Sequence, residues 1–305
     1  MRGDTLRGIH DHPLLTKPDA RPMFKRSRTE FLIDTLAPAR RTRVVDIGAN
    51  PLGPTPYKNL LEMDGCDVWG FEPQQEPYEQ LLADAGPREH YLPHAVGDGQ
   101  PGQLHLCRGK GFTSMLAPNR DTQAHLGLWR RGFEVTEVIP FDTKRLDDLT
   151  DLPTFDLLKI DIQGGECAVF DHGRSKLSEA VAVISEVAAI PIYEDQPLLD
   201  DQMRSLRQSG YHLHKFMTFQ ARKCQRRSTN GLPPEDHSNQ LIDGDGIFIR
   251  NLLALESHDD EALKHLAILA DAVFGSHDLA AMALGVLADR DRLPAQAVRA
   301  YVKRV

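Results

Sequence analysis

The chain has 305 residues, 26% of them charged, and a formal net charge of −8, so it lacks the basic excess of nucleic-acid-binding proteins. Its hydrophobic content of 41% is that of an ordinary globular protein, and it contains no apolar run of bilayer length. The four scattered cysteines and an N-terminus without an apolar core predict a cytoplasmic protein with reduced thiols and no membrane span.

Helices and strands alternate along the first part of the chain. The patterns predict a helix over 26–37, a strand over 44–47, a helix over 57–64, a strand over 67–71, a helix over 76–85 and a strand over 91–96. This order is typical of parallel strands joined by crossover helices, and it predicts an α/β fold with a doubly wound, mostly parallel sheet.

The later part is less regular. It contains predicted strands over 103–107, 134–141, 155–161, 180–187, 211–216 and 246–250, predicted helices over 165–172 and 197–208, and a helical pattern from residue 259 onward. The polar stretches 108–132 and 217–244 read as long loops, which in compact domains often carry function. We expect both loops to flank the substrate.

The most informative feature is the turn after the first strand, which reads Asp46-Ile47-Gly48-Ala49-Asn50-Pro51-Leu52-Gly53. The second strand then ends at another acid, Glu72. A glycine-bearing turn followed by a carboxylate on the next strand is the arrangement with which doubly wound sheets hold the ribose of a nucleoside cofactor. The alternative is an ordinary turn between a strand and a helix.

The charge at this turn indicates which cofactor is bound. Asp46 would repel the pyrophosphate of a dinucleotide, which disfavours an NAD(P)-linked oxidoreductase. Pro54-Thr55 stands where a phosphate-binding P-loop needs Lys-Ser/Thr. S-adenosylmethionine carries an ammonium and a sulfonium and no phosphate, so it is the predicted cofactor.

Three titratable residues lie at or near the ends of predicted strands and are candidate general bases: Asp161, Glu186 and His94. Asp161 could instead cap the next helix, Glu186 could be a solvated carboxylate, and His94 could be structural. Lys159 is expected to pair with a nearby acid. His212 and His214 are interpreted as ordinary strand histidines, and no metal site is predicted.

Five motifs come in the order found in FkbM-type methyltransferases, which residues 42–250 resemble. They are Val45-Asp46-Ile47-Gly48-Ala49-Asn50, Gly70-Phe71-Glu72-Pro73, Ala95-Val96-Gly97-Asp98, Leu158-Lys159-Ile160-Asp161 with Glu166, and Ile184-Ser185-Glu186-Val187. The resemblance implies a Rossmann-like class I fold and S-adenosylmethionine-dependent O-methylation of a sugar, glycan or polyketide-like hydroxyl. It also implies that Asp46, Gly48, Asn50 and Glu72 hold the cofactor, with Ala95 and Asp98 nearer the adenine.

Gly53, which closes the same turn, and Asp161 complete the predicted cofactor site. The chain departs from the family pattern at two positions. Gly53 comes later than the family's second glycine, and Gln163 replaces the glutamate of Asp-x-Glu-Gly. The loss of that carboxylate keeps a second interpretation open, a non-catalytic nucleoside-binding or scaffold protein that retains the methyltransferase fold.

The expected organisation is an N-terminal arm and helix (1–41), a methyltransferase domain (42–250) and a C-terminal helical segment (251–305). The C-terminal helices are a possible homo-oligomer contact. The expected partner is a small-molecule or glycan acceptor and not a nucleic acid.

Overall fold

The computed structural model describes residues 24–51, 53–127 and 131–305. The predicted N-terminal arm falls on residues outside these ranges, apart from the helix that follows it. The strands are β1 (Thr42–Ile47), β2 (Cys66–Phe71), β3 (Glu89–Leu92), β4 (Ala95–Gly97), β5 (Pro101–Cys107), β6 (Val135–Arg145), β7 (Leu157–Ile160), β8 (Ala182–Ala188), β9 (Tyr211–Arg222) and β10 (Gln240–Arg250).

Helices cover both faces of the main sheet and form the end of the chain. They are α1 (Phe24–Leu36), α2 (Lys58–Glu62), α3 (Gln75–Asp84), α4 (Arg120–Leu126), α5 (Glu166–Asp171), α6 (Arg174–Leu177), α7 (Leu199–Gln208), α8 (Pro234–His237), α9 (Asp260–Ala272), α10 (His277–Asp289) and α11 (Ala295–Val302). Within the described ranges, no helix is both long and apolar enough to cross a membrane.

Seven strands form the main sheet in the order β3-β2-β1-β7-β8-β10-β9. The first four pairings along this order are parallel, whereas β10 runs antiparallel to both β8 and β9. The order reverses between β1 and β7, and ligands of such sheets bind at the carboxyl ends of the strands at this switch point. The predicted doubly wound, mostly parallel α/β fold with C-terminal helices is confirmed.

The predicted strand over 91–96 is wrong as a single element. Residues 89–92 belong to β3 of the main sheet, whereas residues 95–97 form β4, which pairs with β6 in a separate three-stranded sheet. Pro93 lies between them, and its lack of an amide hydrogen ends the hydrogen-bonding ladder of β3. The chain then turns toward the small sheet, which carries one wall of the site.

The two predicted loops also contain regular structure. Strand β9 runs on to Arg222 and β10 already begins at Gln240, so only the residues between them form a connection. Strand β9 is an edge strand with alternating exposure, and its polar residues on the solvent side hide its strand character. The stretch 108–132 contains α4, which Asn119 caps and Gly127 ends in a left-handed conformation with φ 66°.

The sheet separates two apolar cores. One core packs α1 and the C-terminal helices α9–α11 on the face of β1 that carries Val44, and it includes Leu32, Leu266 and Leu284. The other packs α5, α6 and α7 on the opposite face, where Val45 lies. Residues before, within and after the predicted methyltransferase domain therefore share one core.

A buried polar cluster fastens the same helices to one another. The carboxylate of Asp271 on α9 accepts from Arg28 Nε at 2.6 Å and Thr29 Oγ1 at 2.6 Å on α1. It also accepts from Tyr301 Oη on α11 at 2.8 Å, and all four residues are at most 5% exposed. Each buried polar group in this cluster depends on its partners, because unpaired charges are costly in an apolar environment.

Candidate functional site

The turn after β1 requires a glycine at its first position. Gly48 has a φ of +80°, and a Cβ atom there would lie 2.0 Å from the backbone oxygen of Asp161. The amides of Gly48 and Ala49 both donate to the carbonyl oxygen of Phe71 at 3.0 Å. These bonds fix the turn between the ends of β2 and β7 and leave its backbone open toward a ligand.

A cavity opens above the carboxyl ends of β2, β1 and β7, at the switch point of the sheet. Its remaining wall comes from the small sheet and from the segment between β5 and α4. The lining residues are Ile47, Gly48, Asn50, Phe71, Glu72, Pro73, Gln74, His94, Ala95, Val96, Leu104, Lys110, Gly111, Thr113, Ser114, Met115, Phe141, Asp161, Ile162, Gln163 and Gly165. Five of the predicted cofactor residues (Gly48, Asn50, Glu72, Ala95, Asp161) and the candidate base His94 are thus brought together.

Glu72 stands at the end of β2 with only 5% of its surface exposed. The backbone amide of Gln74 donates to its Oε1 at 2.7 Å. Burial raises the pKa of Glu72 to about 7, against the opposing effect of that hydrogen bond. When it is ionised, this buried carboxylate can accept hydrogen bonds from hydroxyl groups of a ligand in the cavity.

Asp46 is fully buried beneath the turn and lies outside the cavity lining. Tyr57 donates its hydroxyl to Oδ2 at 2.5 Å, and the ammonium of Lys159 lies 3.0 Å from Oδ1. Although burial disfavours the charged form, the carboxylates of Asp46 and Asp161 raise the pKa of Lys159. The predicted pairing of Lys159 with a nearby acid is confirmed, and the pair supports the turn, since Lys159 also lies 3.4 Å from the Gly48 oxygen.

Gln163 organises the acidic end of the cavity. Its Nε2 donates to Asp161 Oδ1 at 2.8 Å and to Glu186 Oε2 at 2.7 Å, while its Oε1 accepts from the Tyr193 hydroxyl at 2.7 Å. The two carboxylates need donors and the hydroxyl needs an acceptor, so the network fixes the orientation of the amide. Asp161 directly follows β7 and Glu186 lies near the carboxyl end of the neighbouring β8, so the two carboxyl groups face one amide group.

The turn after β7 holds Gln163 in this position. Gln163 has a φ of 60° and Gly164 a φ of 106°. Glu166, which is 2% exposed, accepts from the amides of Ile162 at 3.0 Å and Gly164 at 3.2 Å, and burial raises its pKa to about 7. A left-handed non-glycine residue is a strained feature that persists where surrounding contacts demand it.

The other predicted residues are distributed around the cavity. His94 lines it, and its Nε2 lies 3.1 Å from Lys144 Nζ. Asp98 lies outside the lining, where its Oδ1 accepts from the amide of Gln100 at 2.9 Å. Gly53 also lies outside the lining. His214 contacts Ser276 Oγ at 2.9 Å, and the residues described contain no group of His, Cys, Asp and Glu with metal-holding geometry.

Several site residues could not be found from the sequence. Thr113, Ser114 and Met115 line the cavity from within the stretch 108–132, and Ser114 Oγ donates to the Gln163 carbonyl at 2.6 Å. Only the length of that polar stretch signalled a functional role. Tyr193 is fully buried and lies thirty residues from Gln163, and no motif connects the two.

The charge of the cavity lining agrees with a cationic ligand. Two carboxylates, Glu72 and Asp161, contribute negative charge, whereas the basic lining residue Lys110 lies 3.0 Å from Glu76 outside the cavity. A diphosphate would meet the carboxylates without a basic partner of its own. The ammonium and sulfonium of S-adenosylmethionine would be attracted to the same carboxylates, so the residues present fit this cofactor.

The family model of the methyltransferase FkbM domain matches residues 46–213, which is more than half of the chain. The chain belongs to the FkbM methyltransferase family. The protein is a methyltransferase, and its cofactor is S-adenosylmethionine. This membership favours methyl transfer over both the oxidoreductase and the scaffold interpretations.

Solved structures of other methyltransferases show only distant likeness to this FkbM methyltransferase. Magnesium protoporphyrin IX methyltransferase from Synechocystis PCC 6803, with bound SAM, is 11% identical to this chain and has a TM-score of 0.35. The alignment covers 75% of this chain and 81% of that one. TYW2 of M. jannaschii, in complex with AdoMet, is 12% identical with coverages of 77% and 80% and a TM-score of 0.31. The comparison with curated proteins finds no match.

We expect Glu72→Gln to weaken binding of S-adenosylhomocysteine by about 1–3 kcal/mol, the range for hydrogen bonds to a charged group. Because ribose hydroxyls donate best to the ionised carboxylate, wild-type affinity should rise as the pH increases through about 7, the pKa of Glu72. Calorimetry between pH 6 and 8.5 measures both effects. An unchanged affinity in the folded variant, or an unaltered pH dependence, would contradict the role of Glu72.

Proposed function

We propose that this FkbM methyltransferase methylates a hydroxyl group of a small acceptor such as a sugar, a glycan or a polyketide-like molecule. One observation carries the proposal: Asp161, which lines the cofactor cavity, shares the amide of Gln163 with a second carboxyl group, Glu186. Such a pair suits an acceptor that must lose a proton during methyl transfer.

S-adenosylmethionine supplies an already activated methyl group when it is bound. The chain's own residues must align the acceptor and take its proton, because an unionised hydroxyl is a poor nucleophile. Asp161 lines the cavity and accepts from Gln163 through Oδ1, so Oδ2 is the atom that we assign to the acceptor hydroxyl. Gln163 acts as a positioning residue, since it holds the carboxylate at a fixed place.

The protonation of Glu186 supports the role of Asp161 as the base. Burial, followed by the nearby carboxylates of Asp161 and Glu166, raises the pKa of Glu186 well above its ordinary value. Two adjacent carboxylates do not ionise together easily, and the raised pKa favours the proton on Glu186. We therefore rank Asp161 first as the general base, Glu186 second and His94 third.

The cofactor residues divide into contacting and supporting groups. We assign Glu72 to the ribose hydroxyls, Gly48 and Asn50 to the methionine end, and Ala95 to the adenine, because all four line the cavity. Asp46 supports the turn from below through Lys159. Gly53 and Asp98 lie beyond the lining and have no direct contact in this proposal.

Calorimetry with S-adenosylmethionine, S-adenosylhomocysteine and NAD tests the cofactor assignment, and we expect binding of the first two alone. Transfer is tested with isotope-labelled cofactor and a low-molecular-weight cell extract, followed by alkaline treatment of the labelled product. An ether linkage at the methylated oxygen survives this treatment, whereas a methyl ester does not. A protein that binds the cofactor and yields no labelled product, or only base-labile product, would contradict hydroxyl methylation.

We expect Gln163→Glu, which restores the glutamate of the family pattern, to lower turnover by about 10²-fold, the lower end of the range for acid–base catalysis. A carboxylate cannot donate to Asp161 and Glu186, and it would add a negative charge between them. Initial rates at saturating cofactor measure the loss. Gln163→Met, which removes the donor without adding charge, should lose less, and equal rates in Gln163→Glu and wild type would contradict the positioning role.

A further inference from the structure

Negative charge continues beyond the cofactor cavity, along the carboxyl end of β8 and the facing part of β10. Asp245 on β10 lies directly opposite Glu186 on β8 in the antiparallel register, and directly opposed side chains share one face of a sheet. Glu186 and Asp161 in turn share the amide of Gln163. We call Asp161, Glu186, Asp245 and Asp243 the acid row.

Asp243 adds an observation of a different kind. It lies two residues before Asp245, so its side chain points to the same face of β10 and into the row. It is 8% exposed, and its buried Oδ1 has no hydrogen-bond partner among the described residues. Buried polar atoms are nearly always satisfied in folded proteins, so an unsatisfied carboxylate oxygen indicates a ligand that supplies the missing donor.

The four carboxyl groups of the acid row have two cations of the described chain near them, Lys159 and Arg222. None of its four members forms an ion pair with a described residue, and the nearby Lys159 is held by Asp46 at 3.0 Å. Arg222 lowers the pKa of Asp243, but burial and the carboxylate of Asp245 outweigh it and raise that pKa to about 6. Burial likewise raises the pKa of Asp245, against the opposing effects of a hydrogen bond from Thr218 and the charge of Lys159. A cation placed among these groups would relieve their mutual repulsion.

We propose that the acid row binds a protonated amine of the acceptor and thereby presents a neighbouring hydroxyl to Asp161, so that the acceptor is a hydroxylated amine of the amino-sugar type. This inference rests on the proposed O-methylation. The cavity spans β2, β1 and β7, and the acid row continues from β7 over β8 and β10, so the two ligands would meet at Asp161.

An ammonium group fits the acid row better than a metal ion. It supplies three donors, one of which can satisfy Asp243 Oδ1, and it tolerates varied geometry. A divalent ion needs several oxygens in one tight shell, and the described residues offer no group of three or more with that arrangement. The proposed ligand of the acid row is therefore an organic cation and not a metal ion.

The test uses two pairs of probes that differ only in the amine. The protein saturated with S-adenosylhomocysteine is titrated by calorimetry with D-glucosamine and N-acetyl-D-glucosamine, and with ethanolamine and N-acetylethanolamine. We expect at least one amine to bind about tenfold more tightly than its acetylated partner, a difference of about 1.4 kcal/mol. Asp243→Asn and Asp245→Asn should abolish the preference and retain cofactor affinity, whereas Asp84→Asn, on exposed α3, should behave as wild type.

The opposite outcomes separate two failures. If the protein binds S-adenosylhomocysteine and neither amine binds better than its acetylated partner, the acid row does not recognise an amine. Displacement of a bound amine by Mg²⁺ at equal concentration would overturn the organic-cation assignment in favour of a metal. If S-adenosylhomocysteine itself does not bind, the proposed function has failed instead.

Discussion

Asp161→Asn should lower the turnover of this FkbM methyltransferase by about 10²–10⁴-fold, the usual contribution of a general base. The substitution keeps the shape of the side chain and removes its charge, and Gln163 can still contact Oδ1. Cofactor affinity should fall much less than turnover, because Glu72 still supplies one of the two lining carboxylates and Gly48 and Asn50 remain in place. Single-turnover rates with labelled cofactor measure the chemical step without the contribution of product release.

The dependence of rate on pH distinguishes Asp161 from its competitors. A carboxylate base gives a rate that falls on the acid side, and this limb should disappear in Asp161→Asn alone. Glu186→Gln should keep the limb with little shift, because a neutral amide replaces a carboxyl group that already holds its proton. Wild-type turnover in Asp161→Asn, together with a lost limb in Glu186→Gln or His94→Gln, would move the base to that residue.

Asp271→Ala should destabilise the protein by about 3–5 kcal/mol, the cost of breaking one partner out of a buried ion pair. In the wild type, Arg28 Nε lies 2.6 Å from Asp271 Oδ1. The substitution removes this carboxylate and leaves the buried guanidinium without it. It also removes the acceptor of Thr29 and Tyr301. Urea unfolding, with the midpoint and slope compared between variants, measures the change in the free energy of unfolding.

A surface carboxylate provides the matched control for Asp271. Asp64 pairs with Arg41 at 2.6 Å and Arg88 at 2.7 Å, but its side chain is 56% exposed. Exposed pairs add little to stability, so Asp64→Ala should keep the wild-type midpoint. A similar loss in both variants would mean that burial of the Asp271 cluster has no special importance.

The sequence predicted the main sheet well, because its strands are short apolar runs bounded by glycines, prolines and acids. Such runs are readable where both faces of a strand are buried, as in β1, β7 and β8. The second half of edge strand β9 alternates in exposure, and the first half of β10 contains Asp243-Gly244-Asp245, so the sequence predicts a loop over 217–244 where these two halves are strands. The split at Pro93 depends on which sheet each half joins, and this is a property of tertiary structure.

The sequence predicts those site residues that directly follow a strand end. It does not predict those whose role depends on contacts with residues distant in the chain. Gly48, Asn50 and Glu72 follow strand ends directly, so their place at the cavity could be inferred from chain order. The function of Gln163 depends on Glu186 and Tyr193, which are distant in the chain and meet it only in the folded protein. The substitution of glutamate by glutamine at position 163 therefore looked like a loss, although the amide donates to both carboxylates.

The position of β10 has a consequence for how the protein is made. This strand is the last of the main sheet along the chain, yet it fills the gap between β8 and β9. Until residues 240–250 leave the ribosome, β8 and β9 both present unpaired edges, and edges of this kind invite pairing with other chains. Nearly the whole domain must therefore wait for its final strand, so we expect slow folding and a dependence on chaperones that protect the two open edges.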